Sequence, residues 1–318
     1  MGSKQSKTID KKSSFHEMLE RTLLDDKQAI GQLFGFLRKK SNQDLYPFTF
    51  NFYLEKAIAT KNSFAQNTVG YMYYRGKGVQ KDLKNSLKWL QLSVSQGNSY
   101  GQCNMGTIYE EGEAVEKNLI AAHKWYKISA ENNNAWGQCW LAYSYCDGFV
   151  EKNLPEAINL FKKAASQNNN NGYYGYACLC LFSGVTEDTP GMAMKYLNIA
   201  AESGFCSALE TLAVMYELGN RVPKDSMKAY KFYKLLAKDY DDKYISKVEE
   251  LMRKSSIAAV VLKENFELNK INEKQKDDIE KLTQQVDHLM YRPQGPKFKE
   301  LEQDYYKLAD KSVLISKN

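Results

Sequence analysis

Gly76, Gly112, Gly148, Gly184 and Gly219 stand 36, 36, 36 and 35 residues apart along the chain. A period of that length constrains the fold more than any other feature of this sequence. A unit of about 35 residues cannot bury its own apolar face, so neighbouring units must stack and share one continuous core. The units align beyond the glycines. The stretch AQNTVGYMYYRGKGVQKDLKNSLKWLQLSVSQGN from Ala65 lies over GQCNMGTIYEEGEAVEKNLIAAHKWYKISAENNN from Gly101, pairing Gly70 with Gly106, Tyr73 with Tyr109, Val79 with Val115 and Trp89 with Trp125.

Each unit is predicted to be a helical hairpin. Ala65, Val69, Met72 and Tyr73 follow the i, i+4, i+7, i+8 spacing of one helix face, and Gly76 and Gly78 end that helix, since glycine tolerates the left-handed cap. Leu83, Leu87, Leu90 and Val94 give a second stripe, ended by Gly97. The two helices are called A and B below. Gly70 and Gly106 fall inside helix A, where glycine costs ~1 kcal/mol against alanine; close approach of helix B is the expected reason.

These units resemble the Sel-one-like repeat (SLR), a relative of the tetratricopeptide repeat, with the pattern A-x-x-x-L-G-x-x-Y-x-x-G-x-G-V, a D-x-x-K-A segment, an aromatic, A-A and Gly. Five copies cover about residues 65–239, and the last reads ALETLAVMYELGNRVPKDSMKAYKFYKLLA from Ala208. The third copy departs from the pattern at Ala142, Phe149 and Leu160. The fourth departs most, with Cys178 at the Gly position, Leu181 at the Tyr position and Asp188 to Pro190 in the link. The resemblance implies an all-α fold, a right-handed α/α solenoid of about five hairpins with an N-terminal helical cap and a C-terminal long helix. It also implies a non-catalytic adaptor or scaffold that binds a protein partner on a concave face lined by the A helices.

The organisation expected is a tail at 1–14, a helical cap at 15–64, the solenoid at 65–239, a capping helix at 240–256, a long charged segment at 257–291 and a short helix with a tail at 292–318. Within the cap, Ala29 to Leu37 reads as an A helix and 50–62 as a B helix. In 257–291, heptad placement puts Asn265, Asn272 and Gln275 on the seam and leaves only the last two heptads apolar. A homodimeric coiled coil and a solitary solvated helix both fit.

A net charge of +6 and a pI near 8.7, with acids and bases mixed, do not indicate a nucleic-acid partner. Cys103 and Cys139 recur in the same GQC setting, and Cys146, Cys178, Cys180 and Cys206 form no C-x-x-C pair with nearby histidines. Reduced, buried cysteines are expected, with no metal and no cofactor. His16, His123 and His288 have no partner that spacing can place beside them, and no P-loop, H-E-x-x-H or G-x-S-x-G motif occurs. No enzymatic site is expected.

Recognition is what remains. The positions between the core stripes of the A helices hold Tyr71, Tyr74, Asn104, Thr107, Trp140, Tyr143 and Tyr176, and Tyr and Trp are the residue types that carry interface hot spots. Packing against the next repeat is the alternative role for these aromatics. The opening residues MGSKQSK fit the M-G-x-x-x-[ST] pattern for N-myristoylation at Gly2. A leftover expression tag also begins Met-Gly-Ser, but three residues would not supply Ser6 and the lysines behind it. Lys4, Lys7, Lys11 and Lys12 suit an anionic membrane surface, the second signal that a single acyl chain needs. With no apolar run of about twenty residues and no signal-peptide segment, the expected location is the cytoplasmic face of a membrane. A soluble interaction protein, or an activator of a membrane-bound enzyme like those of chitin synthase without the lipid, is the alternative.

Overall fold

The computed structural model describes residues 14–182 and 191–254. Gly2, Lys4, Lys7, Lys11, Lys12, the link around Gly184 to Pro190, and the segments 257–291 and 292–318 lie outside the described residues. Every regular element among the described residues is helical. The N-terminal part contains α1 (14–22), α2 (Lys27–Arg38), a 3-10 turn (Lys40–Leu45) and α3 (Tyr46–Ala59). Five A/B pairs follow: α4 (Ser63–Arg75) with α5 (Leu83–Ser95), α6 (Ser99–Glu111) with α7 (Leu119–Glu131), α8 (Ala135–Asp147) with α9 (Leu154–Ser166), α10 (Asn170–Phe182) with α11 (Met192–Glu202), and α12 (Cys206–Leu218) with α13 (Ser226–Asp239). A 3-10 turn (Asp242–Tyr244) leads into α14 (Ile245–Lys254).

The helices start and stop where side chains satisfy their free backbone groups. Asn62, Asn98 and Asn134 cap the first three A helices, each side-chain oxygen accepting from the amide three residues on, at 2.9, 3.0 and 3.0 Å. Asp82, Asn118, Asn153 and Asp225 do the same for B helices. Gly76, Gly112, Gly148 and Gly219 end A helices at φ between 63° and 73°, the left-handed conformation the period required.

Close packing explains the internal glycines. A Cβ on Gly70 would stand 2.7 Å from Leu90 Cγ, and one on Gly106 would strike the Tyr126 ring. Leu90 and Tyr126 occupy the same B-helix position, so glycine lets helix B approach the helix A backbone in both repeats. Polar bonds repeat with the same period. Ser93 and Ser129 each donate to a carbonyl at the start of their own A helix, Ser63 O and Ser99 O, both at 2.7 Å. Asn98 and Asn134 donate to Ser63 Oγ and Ser99 Oγ of the preceding repeat, at 3.2 and 3.0 Å. One asparagine thus starts a helix and ties two repeats.

The N-terminal segment does more than close the first repeat. Ala29, Ile30, Leu33 and Leu37 of α2 are buried, and Ile30, Leu33 and Leu37 share a core with Leu19, Tyr53, Val69 and Met72. At ~1.5–3 kcal/mol for each large apolar side chain, that burial fixes α2 in place. Polar groups along it and just after its end then reach distant repeats. Lys27 donates to Gln167 Oε1 at 3.0 Å, Lys39 pairs with Asp239 at 3.2 Å, and Lys40 pairs with Asp242. α2 together with Lys39 and Lys40 therefore links the third repeat to the end of the fifth.

Candidate binding surface

Successive A helices pack on one another, α4 on α6, α6 on α8 and α8 on α10, and no pairing of comparable extent joins successive B helices. The A helices are therefore the inner, concave side. α2 lies on that side. Its Phe34 ring meets Tyr71 edge-on at 6.4 Å and Trp136 at 6.3 Å, which places it over the first and third repeats together. Between α2 and helices α4, α6 and α8 is a cavity of about 280 Å³.

Of the residues expected on the concave face, Tyr71, Asn104, Thr107 and Trp140 line this cavity, and each is half-buried. Tyr143 lies beside it, 5.7 Å from Trp140 and 4.9 Å from Phe161 by ring centroids. Tyr74 also lines the cavity although it is only 3% exposed, and Tyr176, 2% exposed, is not part of that lining. Tyr74 packs with Leu90, Met105 and Ile108 and donates to Glu111 of the next repeat at 2.9 Å. Tyr176 packs on Tyr196 of α11 at 5.1 Å. Phe34, Arg38, Tyr100 and Trp136 also line the cavity, although the repeat pattern did not single them out. Trp136 had a signal, standing one helical turn before Trp140; Phe34 and Arg38 had none within the repeat.

The lining includes two guanidinium groups and no carboxylate. Arg75 is neutralised by Glu111 through two hydrogen bonds of 2.7 and 3.0 Å. Arg38 is exposed and has no ion pair or hydrogen bond among the described residues. Its charge is nevertheless felt. Burial raises the pKa of Tyr46, Cys206 and Tyr240, and Arg38 opposes that rise at all three. Asn67 is 4% exposed and accepts from Asn104 Nδ2 at 2.7 Å, while its own amide nitrogen has no partner and is not sealed from the cavity or solvent.

The groups that do chemistry elsewhere are used here for packing. His123 is 9% exposed, lies edge-on to Tyr145 at 5.0 Å and shares a 2.9 Å hydrogen bond with Ser144 Oγ. Ser144 gives its own hydrogen to Leu141 O at 2.6 Å, so His123 Nδ1 must be the donor. Burial, helped by the Lys127 charge, holds its imidazole below the ordinary pKa. Cys103 and Cys139 are buried, and burial pushes both thiols far above their usual range. Tyr126 donates to Glu110, whose carboxyl is raised by burial against that hydrogen bond. Among the described residues no group of His, Cys, Asp or Glu is arranged to hold a metal ion, and no helix is long and apolar enough to cross a membrane.

The solved structures most like this chain include a Sel1 repeat protein from Oxalobacter formigenes, 31% identical over 64% of this chain and 81% of that one, with a TM-score of 0.51. Others are a protective antigen of uropathogenic Escherichia coli strains displaying an SLR fold, at 23% identity, 68% and 48% coverage and TM-score 0.47, and a putative sel1 repeat protein from Klebsiella pneumoniae, at 15%, 64%, 99% and 0.44. No curated protein matches the chain. The Sel1 repeat model matches residues 63–98, 99–134, 137–169, 171–205 and 207–241, each span opening at or next to an A helix and closing just after a B helix. Sel1 repeat proteins generally mediate protein–protein interaction and are generally non-catalytic scaffolds. With five matched spans over more than half of its length and the paired helices to go with them, the chain belongs to the Sel1 repeat family.

Proposed function

We propose that the protein is an adaptor that holds a protein partner on the concave A-helix face beside α2. The observation that carries this reading is the set of half-buried aromatics Tyr71, Trp136, Trp140 and Tyr143 on one surface, with α2 as a fixed wall. Side chains of this kind present large contact area at small entropic cost, which is how interface anchors work. A photo-crosslinking residue placed at Thr107 or Tyr143 is expected to capture the same partner from cells, and one at Ile120, an exposed residue of B helix α7, is not. Equal capture from Ile120, or none from the two concave positions, would overturn the assignment.

The proposal has a second part, acylation at Gly2 with Lys4, Lys7, Lys11 and Lys12 on an anionic membrane surface, and it stands on the sequence MGSKQSK alone. The expected intact mass is that of the chain without Met1 plus a myristoyl group, with membrane association lost in Gly2→Ala. An unacylated mass, or unchanged fractionation in the variant, removes the lipid and leaves a soluble scaffold.

A further inference from the structure

The cavity between α2 and helices α4, α6 and α8 has a chemistry that protein docking does not require. Its walls include four flat aromatic rings, Phe34, Tyr71, Trp136 and Trp140, contributed by α2 and by the A helices of the first and third repeats. At ~30 Å³ for each water, 280 Å³ is room for about nine waters, so the space is larger than a packing defect. A cleft of this size walled by rings is suited to a ring.

The polar groups around it are unbalanced. Arg38 has no carboxylate partner, and Asn67 is more than nine-tenths buried with an amide nitrogen that has no hydrogen-bond partner. The Tyr71 hydroxyl likewise makes no hydrogen bond among the described residues. Arg75, the second cation, is already neutralised by Glu111, and no Asp or Glu lines the cavity. Three groups able to donate, one of them permanently charged, therefore face a space with no anion in its walls. None of the three is sealed from water, so an acceptor bound here would take the place of solvent at donors that no protein group already holds.

We propose that this cavity binds a small planar aromatic carboxylate, its ring held among Phe34, Tyr71, Trp136 and Trp140 and its carboxylate received by Arg38, with Asn67 and Tyr71 as further donors. Guanidinium fits a carboxylate through paired hydrogen bonds, and the charge assistance makes these stronger than neutral ones. The site is built partly by α2, so a repeat array without this segment would lack Phe34 and Arg38. The inference does not depend on the adaptor reading, since a free small molecule needs no partner protein.

The test uses the full chain and three probes that share a ring system: 2-naphthoate, uncharged 2-naphthamide and cationic 2-naphthylmethylammonium, each titrated calorimetrically. Saturable binding of one 2-naphthoate per chain is expected, with the amide weaker by about tenfold and the cation not bound. Arg38→Gln is expected to weaken 2-naphthoate about tenfold while leaving the amide unchanged, and Tyr71→Phe, which keeps the ring, to weaken it by a smaller factor. Arg38 is exposed and Tyr71→Phe conserves volume, so both variants should melt with the parent protein, which keeps the comparison interpretable. No binding of 2-naphthoate at millimolar concentration, equal binding of the cation, or 2-naphthoate affinity unaltered in both variants would each overturn the proposal.

Discussion

Ser86 carries a hydroxyl where the other four repeats carry only a methyl group. Ala122, Ala157, Ala193 and Ala229 hold the matching B-helix position, all fully buried, and Ser86 is buried equally. Its hydroxyl, sealed from solvent, has no hydrogen-bond partner among the described residues. An unmatched buried hydroxyl costs ~1–3 kcal/mol, and serine is also a weaker helix former than alanine. Ser86→Ala should therefore stabilise the protein by about 1 kcal/mol, seen as a higher urea midpoint at constant slope. A loss of stability would show that the hydroxyl has a partner. His123 sets a prediction of opposite character. Its folded pKa is depressed by burial, so the folded state favours the neutral ring, and that contribution is present above the ordinary histidine pKa and lost as pH falls below it. Replacing His123 by Gln should flatten the stability profile below about pH 6.5, the unfolded value; an unchanged slope there would exclude His123 as its source.

At the scale of the helix pair, the sequence was legible because the same physical requirement recurs at one spacing. Glycine at φ near 70° and asparagine at the N-cap are each demanded by backbone geometry, so they mark the ends of α4, α6 and α8 without reference to the rest of the fold. The face each aromatic shows is decided by the neighbouring hairpin and was less legible. Tyr71 and Tyr74 are three residues apart on α4, yet Glu111 and Ile108 of the next repeat cover Tyr74 while Tyr71 stays half-open under α2. The dual role of Asn98 is open to a direct check. Asn98→Ala removes both the cap on α6 and the bond to Ser63 Oγ, and should cost about 2 kcal/mol. Asn98→Asp keeps the capping acceptor and lets Ser63 donate in place of accepting, so it should cost less than half as much. Equal losses in the two variants would mean that the cap contributes nothing.

At the scale of the molecule, α2 is the departure from a simple repeat array. In such an array each unit touches only its neighbours, and stability is close to a sum over adjacent pairs. Lys39 with Asp239 and Lys40 with Asp242 join residues about 200 positions apart, and nothing in the periodic pattern points to them, because the two lysines lie outside the repeats. Each pair is part-exposed and should contribute no more than ~1 kcal/mol. Lys39→Glu should thus destabilise by less than about 1 kcal/mol at low salt, the added Asp239→Lys exchange should restore the loss, and the difference should fade near 1 M salt, where the Debye length is ~3 Å. Failure of the exchange to restore stability in urea melts would show that the contact does not form in solution.

The two ends of the coil are hooked to one another through α2 and the two lysines after it, and a coil hooked in this way is no longer a simple spring. Open helical arrays lengthen under tension by small adjustments shared among all their turns. Here a change of pitch has to stretch the Lys39–Asp239 and Lys40–Asp242 contacts as well. Pulled between its first and fifth repeats, the chain should give up these two weak contacts first and then stretch turn by turn.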